Sequence, residues 1–151
     1  MIIRLAEIEE IKRLTQISKE AFDSDVDVGG KQNGGPPFYD SESWHEQMRN
    51  SGNLYSAFGE DELIGGAIMF CDDNSNSVYV GRIFVAPSYH HRGYGIEMMH
   101  KLEEMFSDKA VFKLDTPIWN VRTNRFYAKL GYVETRRDDE FVSYEKNMCK
   151  A

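Results

Sequence analysis

Two stretches of this chain combine residue types and spacings that can do chemistry. The first runs Ile83-Phe84-Val85-Ala86-Pro87-Ser88-Tyr89-His90-His91-Arg92-Gly93-Tyr94-Gly95-Ile96. It reads as a strand stopped by a proline, then a turn with two glycines, then a helix. The first N–H groups of a helix have no intrahelical partner, and the helix dipole adds positive potential there. Such a turn can cradle a phosphate. Gly93 and Gly95 let main chain approach an anion with no Cβ in the way, and Arg92 offers charge-assisted hydrogen bonds. On the glycines alone, a plain strand-to-helix turn fits equally well. A dinucleotide-binding fingerprint fits worse, because Met98 stands where the third glycine belongs and the preceding strand comes from a meander.

The second stretch is Leu114-Asp115-Thr116-Pro117-Ile118-Trp119-Asn120-Val121-Arg122-Thr123-Asn124-Arg125-Phe126-Tyr127-Ala128-Lys129-Leu130-Gly131-Tyr132. Capping accounts for Asn120 at the start of a helix and Gly131 just past its end. Phe126 and Leu130 lie one turn apart and read as core. Tyr127 is different: a phenol beside a buried face needs a hydrogen-bond partner, and it can donate a proton at pH 7. His45, His90, His91 and His100 show no metal-like spacing with cysteine or carboxylate, so no metal site is expected.

The elements that must position these residues follow from periodicity. Met1 to Leu5 reads as a strand, and Ile8, Ile11, Leu14, Ile17 and Ala21 form one helical stripe. Asp23 to Pro37 has four glycines and two prolines and reads as a long loop. Ser41 caps a short helix that ends before Gly52. From Leu54, the runs LYSAF, ELIGGAIMFC and SVYVGRIFV are separated by GEDE and DDNSN, which predicts an antiparallel meander. Ile96, Met99, Leu102 and Phe106 then repeat at helical spacing. Val111 to Leu114 reads as a strand, Val121 to Leu130 as a helix, and the tail from Tyr132 as one or two strands. The expected class is α/β, of the α+β mixed-sheet kind: a central, mostly antiparallel sheet flanked by helices, in a single domain over residues 1–151.

Composition narrows the function. The 151 residues carry 18 Lys and Arg against 25 Asp and Glu, a formal charge of −7. An acidic chain lacks the basic footprint of a nucleic-acid binder. No run approaches the roughly 18 apolar residues of a membrane span, and the start MIIRLAEIEEIKRL is unlike a signal or transit peptide. Cys71 and Cys149 form no C-x-x-C spacing and read as reduced thiols. A cytoplasmic, soluble protein is expected.

Together the two stretches resemble the GNAT superfamily of acyl-CoA-dependent N-acyltransferases. In that family, a strand ending Val-x-Pro leads into Gln/Arg-x-x-Gly-x-Gly/Ala, whose backbone amides hold the CoA pyrophosphate. Here the string is His90-His91-Arg92-Gly93-Tyr94-Gly95, with His90 departing at the first position. The downstream signature, Asn, then Tyr seven residues on, then a Gly-aromatic pair, stands here as Asn120, Tyr127, Gly131 and Tyr132.

The resemblance implies acetyl-CoA as co-substrate and a primary amine of a small molecule or peptide as acceptor. The main chain of Ile83, Phe84 and Val85 would pair with pantetheine, and Asn120 would hold the CoA arm. The turn from His90 to Ile96 would hold the pyrophosphate, with Arg122 and Arg125 as further phosphate candidates. Tyr127, a phenol of pKa about 10, is expected to protonate a departing thiolate of about 8.5.

The base is less legible, because Gly81 stands where many relatives have Glu. Asp115 is the candidate, beside Asp72, Asp73 or a water. Asp23, Asp25 and Asp27 lie in the segment that borders the acceptor end of the family's cleft, and they point to a cationic acceptor. The strand EFVSYEKNM leaves pairing across a homodimer open. The alternative function is a CoA-binding sensor or regulatory module without turnover. A nucleotide-binding domain unrelated to CoA ranks last.

Overall fold

The computed structural model describes residues 1–29 and 34–148. The expectations for Gly30 in the long loop and for Cys149 fall outside the described residues.

Tight turns set the sheet. β2 (Leu54–Gly59) and β3 (Glu62–Asp72) are joined through Glu60 and Asp61, both with positive φ, 53° and 66°. This is the backbone twist that a two-residue hairpin needs, reached without glycine. β3 returns to β4 (Ser77–Val85) through a turn in which Asp72 Oδ1 accepts the Asn74 N–H at 3.0 Å. β2, β3 and β4 pair antiparallel, as the meander predicted, and β1 (Ile2–Leu5) adds an antiparallel contact on the far side of β2.

A helix, α3 (Tyr94–Met105), then carries the chain over to β5 (Val111–Pro117). β5 lies parallel to β4, as a helical crossover requires. β6 (Val133–Arg137) and β7 (Phe141–Asn147) complete a seven-stranded sheet in the order β1-β2-β3-β4-β5-β7-β6. This is the mixed, mostly antiparallel architecture expected. One expectation is corrected: β7 pairs with β5 on one side and β6 on the other, so its edges are used within the chain and it offers none to a second copy.

Each face of the sheet has its own core. On one face, α1 (Ile11–Asp23) and α2 (Glu42–Asn50) cover Leu54, Ile68 and Phe84 with the stripe Ile11, Leu14, Ile17 and Ala21. On the other face, α3 supplies Met98, Met99 and Leu102, and α4 (Val121–Lys129) supplies Tyr127, against Val78, Val80, Phe112, Leu114 and Val142. Among the described residues, no helix is long and apolar enough to cross a membrane.

The sheet is also where the site originates. β4 and β5 pair only from Ser77 to Tyr79 against Val111 to Lys113. Beyond Tyr79 the two strands part, and the rest of β4 has a neighbour on one side only. A bulge sits at the fork: Ile68 faces Arg82 and Met69 faces Val80, leaving Gly81 unopposed. The bulge also explains that glycine. A Cβ there would stand 2.7 Å from the Phe70 ring and 3.2 Å from the Ile68 carbonyl, so a glutamate cannot be accommodated without displacing Phe70.

Candidate functional site

Past the fork, β4 presents unpaired main chain. Ala86 N–H donates to Ile64 O at 2.7 Å, and the Phe84 carbonyl points at Gly65, so even-numbered residues turn toward β3. By alternation, Ile83 and Val85 direct their N–H and C=O groups toward the gap. His90 confirms the direction: its Nε2–H donates to the Val85 carbonyl at 2.6 Å. Burial, Arg122 and His91 together hold the His90 ring below the ordinary histidine pKa, so it is neutral at pH 7.

The gap is a cleft of about 340 Å³. Its walls include Ile83, Phe84 and Val85 of β4, the turn residues His90, His91 and Gly93, and Tyr94, Gly95 and Ile96 of the first turn of α3. The opposite wall is α4, through Arg122, Phe126 and Tyr127.

Gly93 has φ +83°, and a Cβ built there would meet nothing within 4 Å, so the space before the turn is open. The N–H groups of Gly93, Tyr94, Gly95 and Ile96 have no main-chain acceptor among the described residues. His91 also takes a left-handed φ of 63°. Arg92 behaves differently from expectation: it is exposed, its guanidinium lies over the Tyr89 ring at 5.4 Å, and it is not part of the cleft wall.

Tyr127 is 7% exposed and packs edge-on against Phe126 and Tyr132, with ring centroids 5.1 and 5.7 Å away. Its hydroxyl has no hydrogen-bond partner among the described residues. Burial, and then the neighbouring phenol of Tyr79, push its pKa well above the ordinary tyrosine value. It is a protonated, desolvated phenol facing a cleft. Asn120, 2% exposed, caps α4 by accepting the Thr123 N–H at 3.1 Å and does not itself line the cleft.

Asp115 is elsewhere. Phe112 and Leu114 turn into the α3/α4 core, so alternation sends Asp115 to the opposite face of β5. Its carboxylate accepts from Tyr79 Oη at 2.7 Å and from Ser143 Oγ. Together with Lys113, Thr135, Arg136 and Glu145 these groups line a second cavity of about 370 Å³. Tyr79 is the last β4 residue paired with β5, so this cavity abuts the fork.

The loop aspartates are not the free acidic patch expected. Asp23 ends α1, pairs with Lys19 at 2.7 Å, and accepts from Tyr39 Oη at 2.7 Å. Asp25 sits in a 3-10 turn, Ser24–Val28, and is bound by Arg122 at 2.9 Å. That turn brings Asp25, with Ala21 and Phe22 at the end of α1, into the cleft wall. The apolar stripe of α1 signals Ala21 only as core and does not include Phe22. Nothing in sequence joins residues 25 and 122.

Among the described residues, no group of three or more His, Cys, Asp or Glu side chains could hold a metal ion.

Residues 11–132 match the family model described as the acetyltransferase (GNAT) family. The mouse thialysine N-epsilon-acetyltransferase is 26% identical over 149 residues, covering 95% of this chain and 81% of that protein. The fold is similar to a GNAT-family acetyltransferase from Streptococcus agalactiae, with TM-score 0.85, 20% identity, and 99% and 96% of the two chains covered. It is also similar to the PaiA N-acetyltransferase of Thermoplasma acidophilum, solved in complex with coenzyme A, with TM-score 0.76, 19% identity, and 97% and 98% covered.

Proposed function

The chain belongs to the GNAT acetyltransferase family, and from that premise we propose that it moves acetyl from acetyl-CoA to a small-molecule or peptide primary amine, with Tyr127 as general acid. That it is an acyl-CoA-dependent N-acetyltransferase follows from the family. The observation that carries the finer reading is that one cleft holds both an open anion-receiving turn, Gly93 to Ile96, and a protonated phenol, Tyr127. The open space before Gly93, the free main chain of Ile83 and the N–H of Val85 fit a pyrophosphate and an amide-bearing arm.

In this reading the amine nitrogen attacks the thioester carbonyl, a C–N bond forms, and the C–S bond breaks. Sulfur leaves as a thiolate and takes the proton of Tyr127 Oη, while the amine nitrogen gives up one proton. Burial suits Tyr127 to the task, because it keeps the proton in place until a thiolate develops beside it. Main-chain N–H groups of the free β4 edge are available to the carbonyl oxygen as charge builds on it.

Asp115 is the proposed acceptor of the amine proton, from the second cavity. One observation supports it: Tyr79, the last residue of β4 paired with β5, hydrogen-bonds it at the fork. We further propose a cationic acceptor, met by Asp115 and Glu145 beside Lys113 and Arg136. The mouse relative is named for the ε-nitrogen of thialysine, which supports a small-molecule amine. We take residues 1–151 as one catalytic domain acting in the cytoplasm. The second reading, CoA binding without turnover, is favoured by Gly81, since β4 carries no carboxylate at that position.

The test is thiol release from acetyl-CoA across a panel of diamines, basic amino acids, neutral amines and peptides, for wild type and Asp115→Asn. Turnover best with cationic amines, and a raised acceptor KM in the variant, are expected. CoA binding with no release for any amine supports the second reading. A neutral or anionic best acceptor, with Asp115→Asn unchanged, removes Asp115 from its role.

A further inference from the structure

The cleft is built to receive an anion except at one point. Its polar lining includes the N-terminus of α3, the glycine turn, the two histidines and Arg122, and among the described residues the only carboxylate lining it is Asp25. This carboxylate is not incidental to the fold. The chain leaves α1 at Asp23, makes the Ser24–Val28 turn, and reaches the start of α4, where Gly29 lies against Trp119. Arg122 Nη2 donates to Asp25 Oδ1 at 2.9 Å. Asp25 is thus bound to the first turn of α4, 97 positions away in sequence.

We propose that Asp25 sets the affinity for acyl-CoA by competing with it for Arg122. The proposal rests on the acyl-CoA reading of the cleft given above. A carboxylate and a phosphate present the same acceptor geometry to a guanidinium, and both form bidentate charge-assisted pairs with it. Arg122 can change partners at little structural cost, because its side chain is 36% exposed whereas that of Asp25 is 16% exposed. Burial raises the pKa of Asp25 even with Arg122 alongside, so its charge is not strongly favoured where it stands. An incoming pyrophosphate meets a like charge at Asp25 and a cation that Asp25 holds. Asp25 touches no reacting atom in this account. It is a positioning residue that acts through α4.

The experiment measures the dissociation constant of CoA by calorimetric titration for wild type, Asp25→Asn, Asp25→Ala, Arg122→Ala and the Asp25→Ala/Arg122→Ala double variant. Loss of the Asp25 charge should tighten CoA binding by about 5-fold or more, the lower end of common coupling strengths. Arg122→Ala should weaken binding, and in that background Asp25→Ala should have a markedly smaller effect. Thermal melts of each variant establish that it is folded, and the isosteric Asp25→Asn keeps the test alive if the alanine variant is not. Unchanged or weaker CoA binding in folded Asp25→Asn overturns the competition. An equal gain with and without Arg122 overturns the route through Arg122. Wild type that binds no CoA at all defeats the reading of the cleft itself, an outcome distinct from either.

Discussion

Replacing Tyr127 with phenylalanine should separate activity from stability. The substitution removes one oxygen and leaves the ring, so the contacts with Phe126, Tyr132 and Tyr144 persist. An ordinary intramolecular hydrogen bond contributes about 0.5–1.5 kcal/mol. The Tyr127 hydroxyl makes none among the described residues, so its removal should change stability by no more than about 0.5 kcal/mol. For a chain of this length that is a shift of about 1–2 °C in Tm. Loss of a general acid costs about 10²- to 10⁴-fold, and at 1.36 kcal/mol per factor of ten this is roughly 2.7–5.4 kcal/mol of barrier.

The assay is kcat at saturating acetyl-CoA and amine, with single-turnover measurements to establish that chemistry limits the rate. Scanning calorimetry and the CoA dissociation constant accompany it. The raised pKa of Tyr127 adds a sign: no loss of activity from this phenol is expected until pH exceeds its ordinary value of about 10. A kcat within threefold of wild type would falsify the acid assignment. A Tm lowered by more than about 5 °C would show that the hydroxyl is structural.

Two further perturbations follow from the packing. His45 is fully buried and donates Nδ1–H to Ser41 O at 2.7 Å, leaving Nε2 without a partner among the described residues. Burial lowers its pKa, with Arg82 adding to the effect, so the unfolded chain binds a proton more readily than the folded one. Stability should therefore fall as pH drops below about 6.5, by up to about 1.4 kcal/mol per pH unit for this group. Urea melts at pH 7 and pH 5 should show a smaller drop in His45→Phe, with the residual attributable in part to His90, shifted the same way. An equal drop in both proteins contradicts this. Gly81→Ala should destabilise by about 1–3 kcal/mol through its contact with Phe70, and pairing it with Phe70→Ala should return part of that loss. A full-sized effect with Phe70 removed would place the clash at the Ile68 carbonyl instead.

What could be read from sequence was whatever local chemistry encodes. The runs at Leu54, Glu62 and Ser77 are short, β-like and separated by turn residues, so the meander was visible, as were the caps at Ser41 and Asn120. The turn at Gly93 was visible because only certain residues tolerate its backbone. Juxtapositions were not. The Asp25–Arg122 pair joins residues 97 apart, and Asp23 finds Lys19 and Tyr39, so two of the three loop aspartates that read as one acidic patch are held by separate partners. The face taken by Asp115 was within reach, since Phe112 and Leu114 fix the alternation of β5. That alternation sends it away from Tyr127. The parting of β4 from β5 after Tyr79 left no trace in sequence, because both strands continue with residues that suit a paired sheet equally well.

The central claim is that acyl-CoA occupies the gap between β4 and α4, with its phosphates on the glycine turn. The most direct test is to titrate acetyl-CoA into isotopically labelled protein and follow the backbone amide resonances. The account predicts that Gly93, Tyr94, Gly95 and Ile96 shift most, together with Ile83 and Val85, in a single saturable process, while Thr135, Arg136 and Glu145 around the second cavity shift little. Largest shifts at the second cavity, or none at Gly93 to Ile96 at saturating acetyl-CoA, would contradict it.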